Sequence, residues 1–475
     1  MSALKILLIA CYELGHPPLT LAWPVAFLRQ AGFTAQTLDL SLTAFSDELA
    51  ADAALVAIAA PMHTALRLGV EAARRTRAVN LRAHVCFFGL YAQLNADLLF
   101  RAGLADSLSA GEAEPVLVRL AQGLQTGQAL ETIPGLTLAG ATDPGGHFQP
   151  AAPWLERLDF PVPERAALPP LTRYARYQHG AELQLAGYTE ASRGCLHTCQ
   201  HCPLTPIYGG RFFVVPAEVV LADIAQQVAA GARHITFGDP DFLNGPRHAL
   251  NLARALHARW PALTFDFTTK VEHILQHRAL FPELAQSGAT FVVSAVESVS
   301  DQVLRRLHKG HTAADIDTAL AILDAAGLAL QPTLVAFTPW TTLDDYLAQL
   351  EFIHTRGLHA HIPPVQLSIR LLIPPGSPLA HAPDAVAWLG ALEAENFTYR
   401  WTHPDPRMDA LYTQVAAIVA EAAAVGEDDR LTFTALRAAA YAAAGRPVPA
   451  PRSGPPAESA HPRPAPPRLT ENWFC

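Results

Sequence analysis

Three of the six cysteines in this 475-residue chain fall within eight positions, Cys195-Leu196-His197-Thr198-Cys199-Gln200-His201-Cys202. The spacing is C-x3-C-x2-C, and it follows a candidate strand directly. Thiolates this close in sequence converge on one metal centre, and three are one short of a saturated tetrahedral site. The vacancy separates functions. Four-cysteine clusters mainly transfer electrons or hold structure, whereas a [4Fe–4S] cluster on Cys195, Cys199 and Cys202 leaves one iron open to a substrate or cofactor. A structural zinc site is the competing reading, but zinc usually takes a second C-x2-C or a spaced histidine pair. Here His197 and His201 lie inside the ligand loop, and Cys11 and Cys86 sit in candidate strands of another domain.

The pattern around this loop predicts an α/β protein. Residues 1–125 alternate short apolar runs (Lys5–Ala10, Thr34–Leu40, Ala54–Ala59, Val85–Gly89) with helical segments such as Leu21–Gln30. Such alternation with buried strands implies a doubly wound parallel sheet. Residues 126–185 are richer in Pro and Gly and read as a connector, with an extended run at Leu158-Asp159-Phe160-Pro161. Alternation resumes over residues 186–400. The strand candidates there are Thr189–Ser192, His234–Gly238, Thr264–Thr268, Thr290–Ala295, Leu330–Phe337 and Val365–Ile373. Helical segments such as Pro216–Ala230 and His248–Ala258 lie between them. Six strands with helical crossovers suit a (β/α)6-type partial barrel, which puts the cysteine loop on the catalytic face at a strand's C-terminal end. Residues 401–446 read as an alanine-rich helical segment. Residues 447–468 read as a proline-rich linker, and residues 469–475 as a small apolar tail ending in Cys475.

Composition excludes some roles. With 50% hydrophobic and 16% charged residues, the chain can bury the cores of two or three domains. A net charge of -9 leaves no global basic field for nucleic acid. No run of about 18 apolar residues indicates a membrane span. The apolar start lacks the basic region and cleavage signal of a secretory leader and reads as a buried first strand. Clustered cysteines do not form a secreted disulfide framework, so the expected compartment is a reducing cytoplasm.

Arg193-Gly194-Cys195 through Cys202 resembles the signature of radical S-adenosylmethionine enzymes. The resemblance implies that the three cysteines hold [4Fe–4S]. The open iron then chelates the amino and carboxylate groups of S-adenosylmethionine, and one-electron reduction cleaves the sulfonium to a 5′-deoxyadenosyl radical. An electron donor such as flavodoxin or ferredoxin is implied as partner. The family usually has an aromatic residue before the third cysteine, against the adenine; His201 stands there. Phe237-Gly238-Asp239-Pro240 resembles the Gly-Gly-Glu-Pro segment that meets the methionyl amino group, with the first glycine replaced and Asp for Glu. Ser294-Ala295-Val296-Glu297-Ser298, followed by Leu304, Leu307, Lys309 and Gly310, resembles the segment after the fourth strand that touches the ribose or carboxylate. The candidate cofactor contacts are therefore His201, Gly238, Asp239, Ser294, Glu297 and Arg370. Lys270 and Arg370 are charges on barrel strands that need partners.

The N-terminal domain resembles the cobalamin-binding domain that precedes many of these enzymes, including the Gly111-Glu112-Ala113-Glu114 helix start. It has no Asp-x-His-x-x-Gly motif. His16, His63 and His84 are isolated, so any cobalamin would lack a protein imidazole on cobalt; the alternative is a domain that kept the fold and lost the cofactor. The runs Cys202-Pro203-Leu204 to Phe212 and Phe337–Thr342, with the tail, resemble a subgroup whose chains finish in Cys-Cys-Ala-Glu-Pro or Cys-selenocysteine-Ala-Glu-Pro. The chain stops at Cys475, where the second residue of the pair is expected, which is what a truncated selenoprotein translation gives. Cys475 is the candidate catalytic thiol, on an arm whose roughly 20 proline-rich residues at about 3.1 Å each reach the barrel mouth. The implied reaction is radical methyl or alkyl transfer to an unactivated carbon with cobalamin, or radical rearrangement or coupling without it. A non-enzymatic iron–sulfur carrier or sensor is the alternative from another class.

Overall fold

The computed structural model describes residues 4–142, 148–179, 182–449, 463 and 465–471. The N-terminal sheet contains β1 (Ile6–Ala10), β2 (Ala35–Asp39), β3 (Leu55–Ala59), β4 (His84–Phe88), β5 (Ser107–Ser109) and β6 (Leu136–Leu138), in the order β2-β1-β3-β4-β5-β6. The first five strands run parallel, and β6 is antiparallel to β5. β1 and β3 read Ile-Leu-Leu-Ile-Ala and Leu-Val-Ala-Ile-Ala and are buried at every position. Helices cover both of their faces. Leu21, Val25, Val116 and Leu120 pack on one side, and Leu66 and Val70 of the helix His63–Val79 on the other. Strand order reverses between β1 and β3, so the chain leaves a crevice at the C-terminal edge there. β6 corrects the expected connector: residues 126–185 first complete this sheet.

The second sheet is built from β7 (Arg176–His179), β8 (Glu182–Thr189), β11 (His234–Phe237), β12 (Thr264–Thr268), β13 (Ala289–Glu297) and β14 (Ala329–Leu334). Between β8 and β11 lies a short antiparallel pair, β9 (Ser192–Gly194) and β10 (Phe212–Val214). After β14 come the antiparallel pair β15 (Leu389–Glu393) and β16 (Thr398–Trp401), and last β17 (Arg468–Leu469). The sheet order is β14-β13-β12-β11-β8-β7-β17. β8 and β11 to β14 are parallel, while β7 and β17 are antiparallel to their neighbours. Ile235, Phe237, Phe265, Phe267, Val292 and Val296 face the outer helices in one core, and the alternate residues Thr236, Asp266, Phe291 and Val293 face the lumen.

Two barrel expectations are corrected. The first strand is Glu182–Thr189, earlier than the run Thr189–Ser192, because its outer half alternates polar residues and carries no apolar run. The expected sixth strand, Val365–Ile373, does not form. Pro363 and Pro364 open a 3-10 turn over Pro364–Leu367, and Arg370 alone bridges to Phe337. The barrel is thus a curled half-barrel sheet of five parallel strands with an open side. Helices Pro406–Val425 and Asp429–Ala443 follow. By length and composition Pro406–Val425 is apolar enough to cross a membrane, although its apolar residues form no unbroken run. One face of it, with Met408, Leu411 and Val415, packs into the barrel core.

Candidate active site

The cysteine loop leaves the barrel through β9 and is held from three sides. Gly194 takes φ +75°, and a Cβ there would lie 2.4 Å from the Arg211 carbonyl oxygen, so only glycine fits the turn into Cys195. The Cys195 amide then donates to that same carbonyl at 3.0 Å. Leu196 N–H donates to Asn244 Oδ1 at 3.2 Å, tying the loop to the segment after β11. Gln200 N–H donates to the Leu307 carbonyl at 3.0 Å, tying it to the segment after β13. The Cys202 amide bonds the Cys199 carbonyl, closing a turn that brings the three free thiols to one side. The other free cysteines among the described residues, Cys11 and Cys86, are buried in the N-terminal sheet. The donor set is three soft thiolates on one pinned loop, with no fourth cysteine beside them among the described residues. That set fits a [4Fe–4S] cluster with one open iron.

Beside the thiols lies a buried charge pair. Lys309 Nζ donates to Glu297 Oε1 at 3.2 Å, and His201 Nε2 approaches the same oxygen at 3.2 Å. Burial opposes ionisation of Glu297, yet Lys309 and His201 hold its carboxyl at about 2. Burial also opposes the Lys309 cation, and the Glu297 carboxylate and the nearby Cys199 keep its pKa above the ordinary lysine value. Glu297 has φ +65° at a register shift in β13, a strained conformation for a residue with a side chain. His201 and Glu297, two of the expected contact residues, therefore meet at the loop.

The remaining candidates are placed as follows. Gly238 lies against Tyr188, whose hydroxyl is 2.1 Å from where a Cβ would stand. Asp239 turns its carboxylate away from the thiols. It accepts from Ala191 N–H at 2.8 Å and from the Ser192 hydroxyl at 2.6 Å, and burial raises it to about 7. Its side chain braces the strand that carries Arg193. Ser294 falls on the helix side of β13 with Val292 and Val296. Arg370 lies among C-terminal partners. Its guanidinium lies over Trp401 at 3.6 Å, pairs with Asp409 at 2.8 Å and donates to the Trp401 carbonyl, which commits it to the C-terminal elements. Lys270 is buried and pairs with Glu272 at 3.1 Å. Cys475 lies outside the described residues.

Sequence reading missed what surrounds Arg193. Its guanidinium reaches Glu112, Glu114 and Glu190 at 2.8, 2.8 and 2.6 Å, and Tyr208 donates to Glu112 at 3.0 Å. Two of those acids open the helix Ala113–Thr126 of the other domain. The contact joins residues about eighty apart, so local spacing could not show it.

Two cavities flank Tyr188. One lies between the sheets, at the C-terminal edge of β1, β3, β4 and β5, and is lined by Glu13, Trp23, Gly89, Glu114, Glu190 and Arg193 among others. None of its lining residues is a histidine. His16 stacks on Tyr188 at 4.4 Å, His63 contacts the Asn396 carbonyl and His84 the Ser107 hydroxyl. The second cavity is the barrel lumen, with Tyr177, Thr236, Asp266, Phe291 and Gln331 in its wall. Pro467, Arg468, Leu469 and Glu471 close its open side. Arg468 donates to the Ala360 carbonyl and pairs with Asp429, and Leu469 packs with Tyr177 and Phe291. Residues 465–471 therefore run along the barrel's open edge.

Comparison with known proteins agrees with this architecture. Residues 189–344 match the model of the radical SAM superfamily. Over 239 residues the chain is 23% identical to a hopanoid C-3 methylase of Methylococcus capsulatus, covering 50% of this chain and 44% of that protein. Over 179 residues it is 26% identical to the ribosomal protein uS12 methylthiotransferase RimO of Geobacter sulfurreducens, covering 35% and 39%. The chain thus spans less than half the length of these curated relatives. Among solved structures, the cobalamin-dependent S-adenosylmethionine radical enzyme OxsB, with aqua-cobalamin and S-adenosylmethionine bound, superposes with a TM-score of 0.68. The match has 14% identity and covers 87% of this chain and 66% of that one. The radical S-adenosylmethionine methyltransferase TsrM from Kitasatospora setae gives 0.58 at 17% identity over 74% and 70%. The fold is shared with both, from the N-terminal sheet through the half-barrel. Residues 189–344, carrying the three cysteines and the strands β11 to β14, are a domain of the radical SAM superfamily.

Proposed function

We propose that this chain is an enzyme that cleaves S-adenosylmethionine reductively and uses the resulting radical for methyl or alkyl transfer to an unactivated carbon. The observation that carries the reading is the set of three free thiols on one pinned loop, beside the buried Glu297–Lys309 pair. Cys195, Cys199 and Cys202 would hold a [4Fe–4S] cluster, which would supply the electron for breaking the sulfonium bond. Lys309 offers the cation, and Glu297 with His201 the acceptors, to the polar groups of S-adenosylmethionine beside those thiols. Gly238, bare of a side chain, leaves its backbone open to the methionyl amine.

The cavity between the sheets supports cobalamin as the second cofactor. It sits at the C-terminal edge of a doubly wound sheet, against the barrel mouth, where such folds bind ligands. With no histidine in its lining, the cavity would offer a bound cobalamin no protein imidazole. The structural neighbours OxsB and TsrM are described with cobalamin bound. A small flavodoxin- or ferredoxin-type donor in a reducing cytoplasm completes the system.

Anaerobic turnover of the reconstituted, reduced chain with S-adenosylmethionine tests the reading. 5′-Deoxyadenosine from the wild type and none from Cys199→Ala is the expected result. Accompanying S-adenosylhomocysteine, with cobalamin bound near one per chain by its corrin absorbance, assigns methyl transfer. A full cluster whose EPR signal ignores S-adenosylmethionine, with no nucleoside product, sinks the proposal.

A further inference from the structure

Within the cysteine loop, His197 makes contacts that no cluster ligand needs. Its Nε2 lies 3.3 Å from His273 Nε2 and 3.8 Å from Asp241 Oδ2. The three side chains each bring a ligand atom within 4.8 Å of the others. His273 and Asp241 are buried, and His197 is 15% exposed at its side chain. They arrive from three separate elements: the cysteine loop, the turn after β11, and the helix Val271–Gln276.

A tetrahedral ion with metal–nitrogen bonds of about 2.0–2.1 Å holds its ligands about 3.3–3.4 Å apart. Asp241 Oδ2 stands 2.9 Å from His273 Nδ1 and 3.8 Å from His197 Nε2, on either side of that spacing. His273 Nδ1 is buried and outside hydrogen-bonding geometry with that oxygen, so it has no hydrogen-bond partner. On the other side, His197 Nδ1 faces the Glu272 carboxylate at 3.6 Å. An acid behind the far nitrogen of an imidazole is the usual support of a metal-bound histidine, fixing its tautomer and raising its basicity.

We propose that His197, His273 and Asp241 form a mononuclear site for a borderline divalent cation of the zinc class, separate from the iron–sulfur cluster. Two imidazoles and one carboxylate are the donor set that such ions take, and with no thiolate the site is distinct from the cysteine triad. The fourth position is left for water or a substrate heteroatom. The ion clasps the cysteine loop to the segments after β11 and β12, so the site couples loop position to metal occupancy.

The test uses the full chain with its cluster intact and cobalamin left out, under anaerobic conditions, and Co2+ as the probe. Equilibrium dialysis against micromolar Co2+ followed by elemental analysis is expected to find one cobalt per chain beyond the iron complement. Cobalt-edge X-ray absorption is expected to show nitrogen and oxygen neighbours near 2.0–2.1 Å and no sulfur near 2.3 Å. His273→Phe keeps a buried ring and is expected to lose more affinity than the roughly 10–100-fold of an outer-shell change, with iron content unchanged. Glu272→Gln is expected to fall within that outer-shell range. No bound cobalt in the wild type, sulfur among its neighbours, or equal binding by a folded His273→Phe overturns the proposal. The wild-type measurements decide even where that variant fails to fold.

Discussion

The Arg193 guanidinium donates to Glu112 at 2.8 Å across the boundary between the two sheets, two residues before the first cluster thiol. It is 11% exposed at its side chain and also holds Glu114 and Glu190. A buried cation among three carboxylates is a fixed joint, since burying a charge without its partner is costly. Removing one side of such a pair strands the other charge and costs about 3–5 kcal/mol. Arg193→Met is therefore expected to lower unfolding stability by about that amount, and to lower iron content through the loop that follows. Glu114→Gln is expected to cost less, because Arg193 retains two acids. Denaturant unfolding with iron analysis checks both, and an unperturbed Arg193→Met refutes the joint.

Gly238 and Tyr188 are in contact so close that a methyl group does not fit. Its Cβ would stand 2.1 Å from the Tyr188 hydroxyl, which is the wall between the two cavities. Gly238→Ala is expected to destabilise the chain by about 1–3 kcal/mol through overpacking. Tyr188→Ala in the same chain removes the obstacle, so the double variant is expected to be more stable than the sum of the two single losses. Strict additivity in that cycle rules the contact out as the cause.

These relationships show how far the sequence reaches. The cysteine triad is legible because its spacing is local and its chemistry follows from ligand count. The strands β1 and β3 are legible because burial on both faces leaves apolar runs, as in Leu-Val-Ala-Ile-Ala. Legibility fails where a residue's role depends on distant partners. Ser294 reads as a site residue until the pleat of β13 turns it toward the helices. Arg370 reads as a barrel cation until Trp401, Asp409 and Tyr412 claim it. Asp241 and His273 are unremarkable in sequence and meet only through the βα turns of the half-barrel. The two-residue strand β17 carries no periodic signal, and its place is set by the open edge of β7.

The segment containing β17 is expected to protect that edge. Thr470 N–H donates to the Arg176 carbonyl at 2.8 Å, and Arg176 N–H donates to the Thr470 hydroxyl at 2.9 Å. Leu469 packs beside Tyr177 and Phe291. Leu469→Asp puts a charge into that apolar contact and is expected to release the segment. Amide exchange over Arg176–His179 then accelerates while exchange in β12, at the sheet centre, stays slow. Unchanged exchange at Arg176 contradicts the docking.

Glu13 sets a pH dependence in the cavity between the sheets. Burial raises its carboxyl to about 8, against the lowering effect of the Thr20 hydroxyl and with help from Asp39. The folded chain thus binds a proton that the unfolded chain, at the ordinary value of 4.5, releases earlier. Its contribution is fully present below pH 4.5 and is lost as pH rises toward about 8, at a slope of at most about 1.4 kcal/mol per pH unit. Glu13→Gln removes this slope, so its stability relative to the wild type is expected to increase from pH 5 to pH 8. Parallel stability profiles for the two chains over that range exclude the assignment.

Glu297 and Lys309 allow structure and function to be separated in one experiment. Both are buried, and each is the other's charge partner at 3.2 Å. Lys309→Met leaves the Glu297 carboxylate with His201 alone and is expected to cost about 3–5 kcal/mol. Adding Glu297→Gln removes the stranded charge, and neutral groups of similar volume replace a buried pair at little cost, so most of the stability is expected to return. If the pair served packing alone, the double variant would also recover its cluster and its 5′-deoxyadenosine. The proposed function requires the reverse: near-normal stability and iron content, with nucleoside product reduced by at least the tenfold that about 1.4 kcal/mol of lost binding represents. Full turnover by the stable double variant would remove Glu297 and Lys309 from the S-adenosylmethionine site and leave them as a structural pair.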